Sequence, residues 1–365
     1  MKYVEEYRNN DLVAELATEL HRLVDRPIRI MEVCGTHTVS IFSHGLRALF
    51  PKNLELISGP GCPVCVTPIN HINDFQTIAG LNGVSIAVFG DLIRVPGTTD
   101  SLSSMSAKGR DIRVVYSPAD VLHLAKQHPQ RVWMLPAVGF ETTAPAIAAV
   151  VLEASRLNIN NFTIYPANKT VPAALDALFG NNTIKLDGLL CPGHVSTIIG
   201  LEPYRSLAHK HGIACAVAGF EPTDIFHALI SLATMIHKRE TKVQNCYTRA
   251  VTDSGNERAR QLIEEVFTPE DSRWRGFGVI PGSGLMLKDK FAHFNALHRF
   301  TFTQNKDQDP ASCRCGEVLK GVLQPRQCPI FGKSCTPSSP IGPCMVSSEG
   351  TCAAHYRYGS VEINL

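Results

Sequence analysis

The spacing of apolar residues changes its period near Asp25. Before that point Leu12, Val13, Leu16, Leu20 and Leu23 recur at three- and four-residue intervals, which predicts one amphipathic helix within Val4–Val24. After it, short apolar runs alternate with longer stretches of helical spacing. Ile28–Val33, Leu54–Ile57, Ser85–Phe89, Arg113–Tyr116, Val132–Ala137, Phe162–Tyr165, Gly188–Leu190 and Ile213–Val217 are rich in strand-forming residues and predict strands. Helices are expected at Ile69–Leu81, Pro118–His128, Ala144–Leu157, Val171–Leu178 and Thr223–His237. This alternation implies an α/β protein with parallel sheets.

Two stretches echo one another. Cys34-Gly35-Thr36-His37-Thr38-Val39-Ser40 resembles Cys191-Pro192-Gly193-His194-Val195-Ser196, and Gly139-Phe140-Glu141 resembles Gly219-Phe220-Glu221. All four follow expected strands, where parallel α/β domains carry their ligand sites. The pattern predicts two related α/β domains at 25–130 and 131–255. A third, loop-rich and cysteine-rich domain at 256–365 is expected to hold an iron–sulfur centre, with the N-terminal helix of 1–24 packed on it. Within that third domain Glu257–Val266 reads as helical, and from Asp309 onward Pro, Gly, Ser and Cys dominate. Such a tail buries too little apolar surface to order itself, so a metal centre is its expected source of stability.

Composition narrows the function classes. At 365 residues the chain exceeds one ordinary core, and 44% hydrophobic with 19% charged residues is a globular balance. The net charge of +2 comes without a basic block, which argues against nucleic acid as a partner. No stretch approaches the roughly 20 apolar residues that span a bilayer, and the acidic, polar start lacks a signal peptide's apolar core. A cytoplasmic protein with no membrane partner is expected. The twelve cysteines then read as metal-binding or catalytic, because a reducing compartment has little use for structural disulfides.

Three cysteine groups carry the chemistry. The tail follows C-x-C-x12-C-x6-C-x8-C-x7-C through Cys313, Cys315, Cys328, Cys335, Cys344 and Cys352. Its loops let thiolates converge from several directions, and a cubane cluster needs four. Zinc competes, although zinc modules usually pair CxxC knuckles or add HxxxH, and this spacing has neither. Six thiols for four positions leave two spare for a dithiol. The second group is Cys62-Pro63-Val64-Cys65, bracketed by Gly59-Pro60-Gly61 and Thr67-Pro68. A CxxC at the mouth of a helix is readied for exchange or metal capture, whereas its plain reading is a turn with incidental cysteines. The third is Cys34, beside a histidine, His37, that can orient a ligand or move a proton. His194 holds the matching place in the echo. His44 reads as structural, Glu141 and Glu221 as caps or site carboxylates, and Asp91 and Arg94 as a pair. Glu349 is expected near the cluster, and Cys215 and Cys246 are read as core or surface thiols.

Taken together, these strings resemble the HypD family of hydrogenase maturation proteins. The likeness rests on Glu32-Val33-Cys34-Gly35-Thr36-His37-Thr38, on Ser58 through Pro68, and on Cys191 through Ser196. Cys313-Arg314-Cys315-Gly316-Glu317 and Gly342 through Gly350 complete it, so it spans nearly the whole chain. The resemblance implies a maturation factor with a redox role in building the Fe(CN)2CO unit of [NiFe]-hydrogenases. It implies a HypC-type chaperone that shares the iron, and HypE, working with HypF, as cyanide donor. It implies two α/β domains and a third with a [4Fe-4S] cluster on Cys313, Cys328, Cys335 and Cys352, leaving Cys315 and Cys344 as the dithiol. Cys34 is then the thiolate for the transient Fe(CN)2CO iron, and electrons pass from the cluster through Cys315/Cys344 and Cys62/Cys65. The competing readings are an iron–sulfur thiol–disulfide oxidoreductase and a zinc-stabilised scaffold.

Overall fold

The computed structural model describes residues 5–180, 184–306 and 308–359; residues 1–4 and 360–365, within the expected terminal segments, lie outside these. Eleven strands form in chain order among the described residues: β1 (Ile28–Glu32), β2 (Leu54–Ser58), β3 (Val84–Phe89), β4 (Ile112–Val115), β5 (Val132–Ala137) and β6 (Phe162–Pro166). Then follow β7 (Gly188–Pro192), β8 (Ala214–Ala218), β9 (Val243–Asn245), β10 (Phe267–Trp274) and β11 (Gly278–Leu287). One sheet runs β2-β1-β7-β8-β9 and the other β4-β3-β5-β6, every pairing in both being parallel. The fold is α/β, as the alternation of periods predicts.

Successive residues of the first sheet enter different cores. Ile30 and Leu190 face a core completed by Leu20 and Leu229, whereas Met31 and Leu189 face one shared with Cys62, Cys65 and Cys344. Period-two alternation puts neighbouring side chains on opposite faces, so both faces of this sheet are covered and both need apolar residues.

The domain limits differ from expectation. β1 and β2 join β7 to β9, so the first unit is discontinuous in sequence and the β3–β6 unit is inserted into it. A boundary near residue 130 separates β4 from β5, yet both lie in one sheet, each beside β3. The Cys34 and Cys191 motifs, expected in different sheets, end neighbouring strands of the same one. Right-handed crossovers make sequential neighbours adjacent often, but strand order is fixed by long-range pairing that periodicity does not encode.

Two elements assigned to the third domain belong elsewhere. Val266, Phe267, Leu285 and Leu287, from the Glu257–Val266 helix and the antiparallel β10–β11 hairpin, share a core with Trp133, Ile147 and Phe162 of the inserted unit. The N-terminal helix, Asn10–Leu23, buries Val13, Leu16, Ala17 and Leu20 in a core with Ile225, Leu229 and Leu232 of the Pro222–Lys238 helix. It therefore covers the first sheet unit and not the cysteine-rich tail. That tail holds short helices at Cys315–Leu319, Pro343–Val346 and Thr351–Tyr358 joined by loops. The last of these lies on the Gly35–Ser43 helix, with the rings of Phe42 and His355 4.4 Å apart. No helix among the described residues is long and apolar enough to cross a membrane.

Candidate functional site

The C-terminal ends of β1, β2, β7 and β8 open into one cleft, and the cysteine-rich tail closes it. Cys34 follows β1 as the N-cap of the Gly35–Ser43 helix, in extended conformation. Its amide donates to the buried carboxylate of Glu32 at 3.2 Å, and the amide of Gly35 donates to the Gly61 carbonyl at 3.2 Å. The loop after β2 thus lies directly on the Cys34 turn. A Cβ on Gly61 would stand 2.4 Å from the Cys34 nitrogen and 2.5 Å from its Cα, so only glycine permits this approach. Burial pushes the Cys34 thiol up to about 12 and the Glu349 carboxylate adds to the rise, while the amides of His37 and Thr36 oppose it. A thiol held protonated in this way has to lose its proton to bind a metal, which the metal's own charge promotes.

Two imidazoles flank the same cleft. His37 is buried, with Nε2 2.9 Å from the Gly219 carbonyl and Nδ1 without a partner among the described residues. Burial lowers it to about 4, which keeps the ring neutral. His194, at the start of the Gly193–Ile199 helix, stacks on Phe220 at 4.0 Å, and His37 packs against that phenyl ring at 4.8 Å.

Cys62 caps the four-residue helix Pro63–Val66, and Cys65 lies within it. Proline at its first position fixes the turn, and the Cys65 amide donates to Cys62 Sγ at 3.3 Å. The two sulfurs are 2.7 Å apart, between the roughly 2.05 Å of a disulfide bond and ordinary contact. Cys65 and Cys62 share a buried core with Cys315 and Cys344, and Cys313 and Cys352 pack against it. Thiols therefore cluster from the tail to the loop beside Cys34.

At the far end of these thiols a small cavity of roughly 20 Å³ is walled by Cys313, Cys315, Cys328, Cys335 and Cys352, with Ile330, Phe331 and Met345. A Cβ on Gly342 would lie 2.5 Å from Cys313 Sγ, so glycine keeps the thiol room to turn. Among the described residues no three His, Cys, Asp or Glu side chains converge on one metal ion. A cubane makes a different demand, one thiolate for each of four irons, and the five cysteines on these walls are donors of that kind. Cys315, expected as a spare thiol, lines this cavity as well, and Cys344 shares the buried core of Cys62 and Cys65.

Ser347 and Asp91 join the site without having been read as part of it, and Glu349 reaches the Cys34 helix. Glu349, expected near the cluster, accepts from Thr36 Oγ1 at 2.7 Å and packs its backbone on Gly35. Asp91 does pair with Arg94, at 3.2 Å, and its Oδ2 also accepts from the amide and hydroxyl of Ser348, at 2.7 and 2.8 Å. Ser347 sits 3.3 Å from Cys62 Sγ. Ser347 and Glu349 carried as sequence signal only their position between the last two cysteines, and Asp91 its place after a strand end beside Arg94. The remaining candidates are structural. Glu141 accepts from the Val171 amide, Glu221 pairs with Arg8, and His44 bonds within its own helix turn to Ser40. Cys215 is buried beside Cys191, and Cys246 is half-buried.

Residues 10–359 match the HypD sequence profile, described as the hydrogenase formation hypA family. The chain belongs to this family. It is 42% identical to the hydrogenase maturation factor HypD of Escherichia coli K12, over 99% of both chains. It is 41% identical to the hydrogenase expression/formation protein HupD of Azotobacter chroococcum, covering 98% of this chain and 97% of that one. A putative hydrogenase expression/formation protein of Methanocaldococcus jannaschii is 39% identical, over 95% and 97% of the two chains. The role this family carries is hydrogenase maturation.

Proposed function

We propose that this maturation factor holds iron through Cys34 while the Fe(CN)2CO unit is assembled on it, and that thiol exchange supplies reducing equivalents from the tail. The observation that carries this reading is the shared core of Cys315, Cys344, Cys65 and Cys62, with Cys313 packed against it, which reaches the loop packed on Cys34. Iron bearing cyanide and carbonyl is a soft centre that favours thiolate. Cys34 offers one thiolate from this chain, and a HypC-type chaperone offers the other side of the iron, which is the substrate of the site. HypE, charged by HypF, delivers cyanide to that complex.

A [4Fe-4S] cluster held by Cys313, Cys328, Cys335 and Cys352 supplies electrons singly when bound. The chain's own residues carry the rest. Reduced Cys344 attacks a Cys62–Cys65 disulfide at Cys65, and Cys315 resolves the mixed disulfide, so that Cys62 and Cys65 leave as thiols and Cys315–Cys344 becomes the disulfide. Neutral His37 and His194 line the cleft where protons leave Cys34.

Anaerobic co-purification with the small chaperone, followed by infrared spectroscopy, tests the reading. Cyanide and carbonyl stretches are expected in the complex and absent with Cys34→Ala. Stretches that persist in Cys34→Ala remove Cys34 from the role. A thiol–disulfide oxidoreductase would need the clustered thiols but not the Cys34 turn, so undiminished reduction of a generic disulfide by Cys34→Ala favours that alternative.

A further inference from the structure

One short loop joins every part of the cleft. Val346 through Gly350 follows Cys344, and its contacts reach in three directions. Toward the inserted unit, Arg94 donates to the Val346 carbonyl at 3.2 Å and Asp91 takes both Ser348 donors. Toward β1, Glu349 takes the Thr36 hydroxyl, and its carbonyl would meet a Gly35 Cβ at 2.4 Å. Toward β2, the hydroxyl of Ser347, 3% exposed, stands 3.3 Å from Cys62 Sγ and 3.2 Å from the Glu349 amide.

We propose that Ser347 is a positioning residue that passes the redox state of Cys62 and Cys65 to the grip of Glu349 on the Cys34 helix. This rests on the thiol-exchange reading above and extends it to regulation of the same site. In the dithiol state the Cys62 S–H donates to Ser347 Oγ, which also accepts from the Glu349 amide. A serine oxygen has two acceptor positions, so both bonds form together and fix the hydroxyl's orientation. In the disulfide state Cys62 has no proton to give. Ser347 is left with a sulfur that accepts only poorly, its hydroxyl turns, and the Glu349 amide loses its aligned acceptor. The loop therefore closes over Cys34 when Cys62 and Cys65 are reduced and loosens when they are oxidised. Asp91 and Arg94 hold the opposite edge of the loop in both states, which confines the change to its Cys34 side.

Amide hydrogen exchange read by mass spectrometry on the full chain, handled anaerobically, tests this. Phosphine-reduced protein is compared with protein oxidised by glutathione disulfide. In that oxidation the two thiols give up two protons and two electrons as their S–S bond forms, and the reagent leaves as two glutathione thiols. Exchange in peptides spanning 345–350 and 35–40 is expected to rise about fivefold on oxidation, the factor that one net hydrogen bond carries. In Ser347→Ala both states should exchange at the faster rate, with the Pro222–Lys238 helix unchanged as a check on folding. The same comparison in Cys344→Ser, which cannot join Cys315, assigns the effect to Cys62 and Cys65. Peptide mapping separates the two ways of failing. If no Cys62–Cys65 disulfide forms, the exchange reading falls and this inference with it. If the disulfide forms but exchange is unmoved, or Ser347→Ala retains the wild-type difference, the inference alone is overturned.

Discussion

Glu141 is 4% exposed, and its carboxyl accepts the Val171 amide through one oxygen while the other has no partner among the described residues. Burial raises it from 4.5 to about 7, against the opposing effect of its backbone bonds. Between those values the folded carboxyl keeps a proton that the unfolded one has released. The native state therefore binds more protons across this window, and the stability this group lends is full below pH 4.5 and lost as pH rises through 7. Relative to Glu141→Gln, which does not titrate, the wild type should lose about 3 kcal/mol between pH 4.5 and 8. Paired denaturant titrations at each pH measure the difference, in which ionisations common to both proteins cancel. A difference that stays flat across the range means that Glu141 is solvated enough to ionise normally. The sequence offered Glu141 only as a cap or a site carboxylate. Its bond to the Val171 amide decides for the cap, a contact that strand and helix periods do not locate.

At the scale of elements, the helix Asn10–Leu23 shows what an amphipathic stripe does and does not specify. Asn9 caps its start, accepting from the amides of Asp11 and Leu12 at 2.9 and 3.2 Å, and its apolar face was evident from spacing alone. Which surface that face covers was not, because any apolar partner satisfies the same stripe. Leu20 is fully buried against the Pro222–Lys238 helix. Leu20→Ala should therefore cost about 2–5 kcal/mol, the range for large-to-small changes in a close-packed core. Chemical denaturation monitored by circular dichroism reads this, and a loss below about 1 kcal/mol would place the helix on a yielding surface. The other elements divide by the same logic. β3 and β5 to β8 were legible because both their faces are buried and their sequences are nearly all apolar, and β1, β2 and β4 because their apolar residues alternate with charged or exposed ones. Strands β10 and β11 were not, since Thr268 to Ser272 is polar and proline-bearing and only the ends, Phe267 and Trp274, are buried. β9 has three residues, none of them fully buried, and escapes any window long enough to show a period.

The whole molecule is two parallel-sheet units bridged by a tail that has little core of its own. From Asp309 onward the chain makes short helices and turns, and it is tied to the rest mainly through Cys344, Ser347, Ser348, Glu349 and the Thr351–Tyr358 helix. The cysteine spacing revealed which thiols belong to the tail, but not that the tail lies across both units, because that depends on contacts hundreds of residues apart. Under the proposed cluster assignment, a segment so poor in apolar burial draws much of its order from crosslinks through metal, whereas each sheet unit carries a complete core of its own. Removing iron from the proposed cluster with a chelator under reducing conditions should therefore free the tail and leave the sheets folded. Limited proteolysis should cut the apoprotein between Asp309 and Pro343 while a fragment containing both sheets survives, and far-UV circular dichroism should change little. The cuts should precede any loss of the Cys34 cleft, because Asp91 and Thr36 still hold the loop after Cys344. Proteolysis that is unaltered by chelation would show that packing alone orders the tail, and the cavity walled by Cys313, Cys328, Cys335 and Cys352 would then need no cluster to keep its shape.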